Sequence, residues 1–403
     1  MSNNTRRKKV IRWVLIIFIL IVMIGVGVIL KTVNDTQKKM TDFISEHPEE
    51  TAVVAYTFDE NGNVIDDGKI IFHNADKPLV VASVMKTVVL AAYADMVVNG
   101  ELDPDEPVQV ADWERYYLPI SDGSAHQLGL QSVGLQADEL GFATDPAATV
   151  TLDDLATIMM YYSGNAATDY LIERVGLERI TAVSQTYLPH QGPINLTLGY
   201  ALAIFNHEVP FSSAWLQQVR TNIDSNDYSD IEPLMDLYLH DETWRSAQID
   251  FMTNLSSITT TDTEMWEYQT AAAQLLPKGT AREYAQMMAQ IGSGHFISPQ
   301  ASAIMQQKLE SVPSDWPLRT LLFNSFGAKD GITAGILTVA SYAVPKWGSL
   351  RHQSRVVVLF VNGLPLAQFA EQAQFQGHYL LPIDLAQGNG TFTPLARQLF
   401  HNG

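Results

Sequence analysis

Strand-forming sequence stands at two distant places in this 403-residue chain, and most of what lies between carries helical spacing. Thr51–Phe58 is β-rich, Asn61-Gly62 signals a hairpin, and Lys69–His73 supplies a returning strand. From Gly327 onward the apolar period changes again. Ile332–Val344, Arg355–Val361 and a short terminal segment read as strands, with Pro345-Lys346-Trp347-Gly348 as the turn between the first two. Strands at both ends with helices between predict an α+β fold: one antiparallel sheet drawn from the two ends of the chain, flanked by helices. Within the helical stretch, Thr151 reads as an N-cap, and residues 205–262, polar and rich in Asp and Trp, read as an inserted all-helical region.

The N-terminus has a different character. Trp13 to Leu30 is eighteen residues without a charge, long enough to cross a bilayer as a helix, and Lys31-Thr32-Val33-Asn34 after it offers no small-residue cleavage site. Arg6, Arg7, Lys8, Lys9 and Arg12 precede it, which predicts a cytoplasmic N-terminus and an extracellular or periplasmic body. The expected division is a basic tail (1–9), a transmembrane anchor (10–31), a linker (32–48, a polar stalk or a helical continuation of the anchor) and a single domain (49–403). The formal charge of −19 argues against nucleic acid as a partner, since phosphate binding needs a basic face. Without cysteine the chain can form no disulfide.

Three short motifs carry chemistry. Ser83-Val84-Met85-Lys86 opens an apolar stretch, Ser83 to Val98, expected to be a helix. Residues three apart share a helix face, so Lys86 can reach the Ser83 hydroxyl, and in a first turn the Ser83 N–H is unpaired and available to an oxyanion. A lysine acts as base only when burial or a second cation lowers its pKa. Val80, Val81, Val84 and Met85 offer the apolar setting. Ser163-Gly164-Asn165 sits at a break between two helical patterns, where a serine can relay a proton and an amide can orient a substrate. Gly164 and Asn165 there are equally ordinary helix-end residues. Lys-x-Gly occurs at Lys329–Gly331 and at Lys346–Gly348. Lys346 follows a proline in a turn, whereas Lys329 leads into a strand, so Lys329 is taken as the second cation, and the Ile332 N–H as second oxyanion donor.

In order, these motifs resemble those of the penicillin-recognising serine enzymes, the β-lactamases and D,D-peptidases, and most closely class A β-lactamases, whose signature is S-x-x-K, S-D-N and K-T-G. The likeness spans roughly residues 50–390. It implies Ser83 as nucleophile, Lys86 as base, Ser163 as proton relay and Lys329 as electrostatic partner. Asn165, Asp330, Gly331 and Ile332 would contact a small-molecule or peptidoglycan-like substrate, with the site in the cleft between sheet and helical region. No cofactor and no metal are implied. Gly164 stands where aspartate is common. Asp330 replaces the hydroxyl residue that helps bind a substrate carboxylate, and a carboxylate there opposes that contact. The class A glutamate loop, E-x-x-L-N, is missing. Glu267, with Glu264 as a rival, is the candidate deacylation base by its distance before Gly279-Thr280-Ala281-Arg282. The chain contains neither G-x-S-x-G nor H-E-x-x-H, which disfavours an α/β-hydrolase and a zinc hydrolase. His126 is expected to be a solvated loop histidine at the cleft rim.

Overall fold

A computed structural model of the protein describes residues 31–255, 262–311 and 317–388. The sheet is antiparallel, with strands β1 (Thr51–Phe58), β2 (Val64–Ile65), β3 (Ile71–His73), β4 (Phe323–Thr333), β5 (Ile336–Pro345) and β6 (Arg355–Val361). Their order is β2-β1-β6-β5-β4, with β3 also paired to β1, so the two ends of the chain meet at β1 and β6. That register runs from Thr51 opposite Val361 to Thr57 opposite Arg355.

Alternate residues of these strands enter two separate cores, as the two-residue side-chain period requires. Val54, Tyr56, Val358, Phe360 and Tyr342 face the large helical side. Val53, Ala55, Val357, Leu359 and Val339 pack on the other face against Met40, Phe43, Ile44, Leu381 and Leu385. The segment read as a stalk or helical continuation is helical from residue 31 to 46, and these buried side chains make it part of the folded body. The expected anchor, Trp13 to Leu30, lies outside the described residues. Among the described residues no helix is long and apolar enough to cross a membrane.

Two elements differ from expectation near the C-terminal end. The strand expected at Ile332–Val344 is in fact a hairpin: β4 already contains Lys329–Gly331, and Ala334-Gly335 forms a two-residue turn, Gly335 holding φ +72°. Ala-Gly is a weak turn signal beside Asn-Gly, so the break escapes a pattern search. The described C-terminal segment is helical, Leu366–Gln374 and Gly377–Gln387, not a strand.

On the helical side, α1 (Lys86–Val98) has every residue from Lys86 to Ala94 buried, as befits a helix at the centre of a core. Helix α2 (Leu152–Tyr161) begins at Thr151, whose hydroxyl accepts from the Asp154 N–H while Asp154 accepts from the Thr151 N–H, a reciprocal cap. Helix α3 (Asn165–Val175) follows after a three-residue break. Residues 205–255 contain the helices Ser213–Asp224, Glu232–His240 and Glu242–Thr253, and α4 (Asp262–Ala273) comes next.

Candidate active site

Ser83 does not open the long helix. It lies in a separate 3-10 turn, Ala82–Met85, and the Lys86 N–H that begins α1 donates to the Ser83 carbonyl. In a 3-10 turn residues i and i+3 eclipse, which puts the Ser83 and Lys86 side chains on one side. The turn is held from outside. Leu79–Val80 pairs with Lys278–Gly279, the Val81 N–H donates to the Pro277 carbonyl, and Val80 exchanges two hydrogen bonds with the Asn362 amide. Thr338 on β5 donates to the Val81 carbonyl at 2.9 Å. Between these ties and Ser83, Ala82 adopts φ +46°, a strained value for a residue with a side chain.

Ser163 is likewise in the left-handed region, φ +64°, at the end of α2. This is where a helix stop prefers glycine, so here a functional side chain occupies a structural position. Gly164 is fixed by space, since a Cβ there would come within 2.9 Å of Ile158 Cγ2. The aspartate expected by resemblance would force the Ile158 side chain to shift.

Lys86 is completely buried, and its ammonium donates to the Ser163 carbonyl at 2.5 Å, Ser163 Oγ at 3.2 Å and Asn165 Oδ1 at 2.7 Å. Lys329, equally buried, donates to Ser163 Oγ at 3.1 Å, the Asp330 carbonyl at 3.0 Å and Asp330 Oδ1 at 3.3 Å. Two cations thus share one hydroxyl. Accepting both uses the two lone pairs of Ser163 Oγ, leaving its proton to be donated elsewhere. Burial first, and then the neighbouring Lys329 charge, lower the Lys86 pKa to about 7, although Asp169, Asp122 and Asp330 pull the other way. The hydrogen bonds of Lys86 go to Ser163 and Asn165 rather than to Ser83. A free enzyme commonly keeps such a bond long until substrate closes the site.

A crevice of about 530 Å³ opens over this network, and its lining includes Ser83, Asp122, Ser163, Asn165, Asp330 and Ile332. Strand β4 is the free edge of the sheet. The two-residue turn makes Thr333 and Ile336 the bonded closing pair. Alternation along the hairpin then turns the N–H of Ile332 away from β5, off the edge. Gly331 beside it touches the turn so closely that a Cβ would lie 2.7 Å from Ser83 N. The backbone nitrogens of Ser83 and Ile332 are therefore neighbours. The Lys346 side chain instead reaches the Thr320 carbonyl at 2.5 Å in an exposed turn.

Burial would raise the Asp330 pKa, but the Lys329 ammonium, with the His378 ring 3.6 Å from the other carboxylate oxygen, holds it well below the ordinary range. Asp330 is anionic at any working pH. Asp169, behind Lys86, accepts from the N–H groups of Thr197 at 2.6 Å and Leu198 at 2.7 Å, and burial pushes its carboxyl up to about 7.

The glutamates do not join the site. Helix α4 reaches the crevice through Gln269, Ala272 and Ala273, three positions of one helix face. Glu264 and Glu267 lie instead on a separate cavity with Phe211 and Tyr268. Their distance along the chain was suitable, but the helix turns them elsewhere. His126 also departs from expectation. It is fully buried in the helix Ala125–Ser132, 3.0 Å from Glu114 Oε1 and stacked on Tyr117. Asp122, which the sequence did not single out, also lines the crevice. Its Ser-Asp-Gly-Ser setting signals only a turn before a helix, and nothing local says that it faces a crevice.

Residues 35–191 match the profile of the β-lactamase enzyme family. Over that stretch the chain is similar to the β-lactamase enzyme family. The match likens it to the serine hydrolases of that family. A comparison with curated proteins finds no match. Among solved structures, a β-lactamase from Sphaerobacter thermophilus is 15% identical, with 89% of this chain and 97% of that one covered and a TM-score of 0.49. PBP-A, as a mutant in an acyl-enzyme complex with penicillin G, is 14% identical over 86% and 95%, with a TM-score of 0.46. A variant of the last common ancestor of Gram-negative bacteria class A β-lactamase is 12% identical over 91% and 99%, with a TM-score of 0.49. At this similarity these likenesses carry no argument beyond the partial family match. Among the described residues no three His, Asp or Glu side chains gather as a metal site.

Proposed function

We propose that this protein is a serine hydrolase acylated at Ser83, acting on the amide bonds of β-lactams or related substrates. The observation that carries the reading is Ser163 Oγ, held by both Lys86 and Lys329 in the crevice that Ser83 lines. Neutral Lys86 takes the Ser83 proton as Ser83 Oγ bonds the carbonyl carbon. The N–H groups of Ser83 and Ile332 receive the developing oxyanion. Ser163 passes a proton to the leaving nitrogen, Asn165 orients the substrate amide, and Lys329 keeps the Lys86 pKa low. The long apolar span at Trp13 to Leu30 with basic residues before it supports a membrane-anchored protein with its catalytic body outside.

A fluorescent penicillin, followed by denaturing electrophoresis, tests the reading. Wild type should be labelled and Ser83→Ala should not. An unlabelled wild type, or equal label on both, would refute acylation at Ser83.

A second reading, a cell-wall peptidase or esterase that ignores β-lactams, is favoured by the permanent charge of Asp330, whereas a penicillin-binding sensor without turnover is suggested by the missing E-x-x-L-N. Two like charges about 4 Å apart repel by about 4 kcal/mol at an effective dielectric of 20, and the paired Lys329 offsets part of this. Asp330→Thr should therefore speed penicillin acylation about tenfold. An unchanged rate would remove Asp330 as the reason for poor β-lactam recognition.

A further inference from the structure

Strand β4 gives the crevice two ends on either side of Ser83. Lys329 bonds the Ser163 hydroxyl and Asp330 follows it, so a leaving group protonated by Ser163 lies toward the Asp330 end. The acyl group then runs the other way, past Ile332 and Thr333 to Ala334, about 13 Å of strand from Asp330. Two helices close that end. Helix α4 presents Ala272 and Ala273, with Gln269 beside them, and the helix Thr197–Ile204 finishes there on Ile204 and Phe205. The Tyr268 hydroxyl of α4 donates to the Ile204 carbonyl at 2.7 Å, which ties the two helices together. Ala273 packs with Val80 and Ile336 beside the Ser83 turn. A Cβ on Gly335 would lie 3.1 Å from Thr270 Cγ2, so α4 also seats against the hairpin tip. The charged side chains lining the crevice are Asp122 and Asp330, and neither comes from α4, from Ile204 and Phe205, or from residues 332–334. Ile332, 47% exposed, leaves apolar surface at the lip that gains by being covered.

We infer that this end is an acyl-chain subsite, and that the substrates are esters or amides of an uncharged hydrocarbon acyl group. The inference rests on acylation at Ser83 and deepens that reading by naming the acyl class. Ser83 Oγ bonds the acyl carbon as the bond from that carbon to the leaving oxygen or nitrogen breaks. The Ser83 proton passes to Lys86, and a proton reaches the leaving atom through Ser163. Meanwhile the hydrocarbon chain lies on Ile204, Phe205, Ala273 and Ile332, where it sheds water. An ammonium or carboxylate at the end of the chain would lose hydration there and meet no opposite charge on these elements.

The experiment measures kcat/KM for p-nitrophenyl acetate, p-nitrophenyl hexanoate and the p-nitrophenyl ester of 6-aminohexanoic acid, which share one leaving group. The full chain is compared as wild type, Ser83→Ala, Phe205→Ser and Ile332→Ser. A buried methylene is worth about fourfold, so covering only two of the four that hexanoate adds gives wild type a preference of at least about tenfold over acetate. The ammonium ester should fall to the level of acetate or below. Phe205→Ser and Ile332→Ser should each cut the hexanoate-to-acetate ratio by about threefold or more. Loss of folded protein lowers both esters alike and leaves that ratio unmoved. The exposed Ile332 side chain keeps the test open should Phe205→Ser fail to fold. The inference is overturned if wild type prefers hexanoate by less than tenfold, if the ammonium ester exceeds hexanoate, or if neither substitution moves the ratio. Undiminished turnover by Ser83→Ala, or no turnover of any ester by wild type, would strike the Ser83 reading and remove this inference with it.

Discussion

Lys86→Met is expected to cut the acylation rate by at least about a thousandfold at pH 7 while the protein still folds. Methionine fills similar space but carries no amine to accept the Ser83 proton, and the Lys329 ammonium that remains beside Ser163 is paired with Asp330. The size of the effect follows from the lowered pKa of about 7. An ordinary lysine, near 10.4, would be neutral about one time in two to three thousand at pH 7, whereas Lys86 is neutral about half the time. Wild-type acylation should therefore rise tenfold per pH unit up to about 7 and then level off. A plateau delayed beyond pH 9 would contradict the assignment of the base.

The same shift predicts a stability signature. Between pH 7 and about 10.5 the unfolded chain keeps the Lys86 proton and the folded chain does not, so wild-type stability rises with pH across that window. The gain is present in full above the unfolded value and is lost as pH falls through about 7. Three and a half units correspond to about 5 kcal/mol as an order of magnitude. Denaturant unfolding at pH 6.5 and 9.5 should show wild type gaining on Lys86→Met. Equal slopes for the two proteins would mean that Lys86 is not desolvated.

Gly331→Ala is expected to cost both fold and activity. Its Cβ would lie 2.6 Å from Thr338 Oγ1, 2.7 Å from Ser83 N and 2.8 Å from the Val81 carbonyl. Two of these are backbone atoms of a turn tied to Pro277, Asn362 and Thr338, so the strand has to move instead. Overpacking of this kind costs about 1–3 kcal/mol. The movement also separates the N–H groups of Ser83 and Ile332, and loss of one oxyanion donor lowers rates about 10²–10³-fold. Urea midpoints and labelling rates check both parts. A variant near wild type in both would show that the close approach is not required. The sequence placed Gly331 among the substrate contacts. In the structure its missing side chain admits the Ser83 turn.

The motifs were legible because each needs only local spacing. Ser83 and Lys86 stand three residues apart, and Ser163 and Asn165 frame a helix break that composition already marks. The choice of Lys329 over Lys346 also needed only context, a strand against a turn after proline. The hairpin at Ala334-Gly335 and the terminal helices were harder, because β-branched and apolar runs buried on both faces look alike in either state. Glu267 and Asp122 show the sharper boundary. Distance along the chain nominated Glu267, yet which way a helix turns is set by the core it packs on, and that core is built from segments hundreds of residues apart.

The order of residues alone determined the strands at both ends, the helical middle and the chemical types brought to the site. Tertiary structure decided which carboxylate faces the crevice, that Lys86 and Lys329 meet on one hydroxyl, and that Lys86 is buried enough to lose its proton near neutrality. Such facts depend on burial and on contacts between distant segments. A pKa is a property of what surrounds the group in space, and no local stretch of chain contains it.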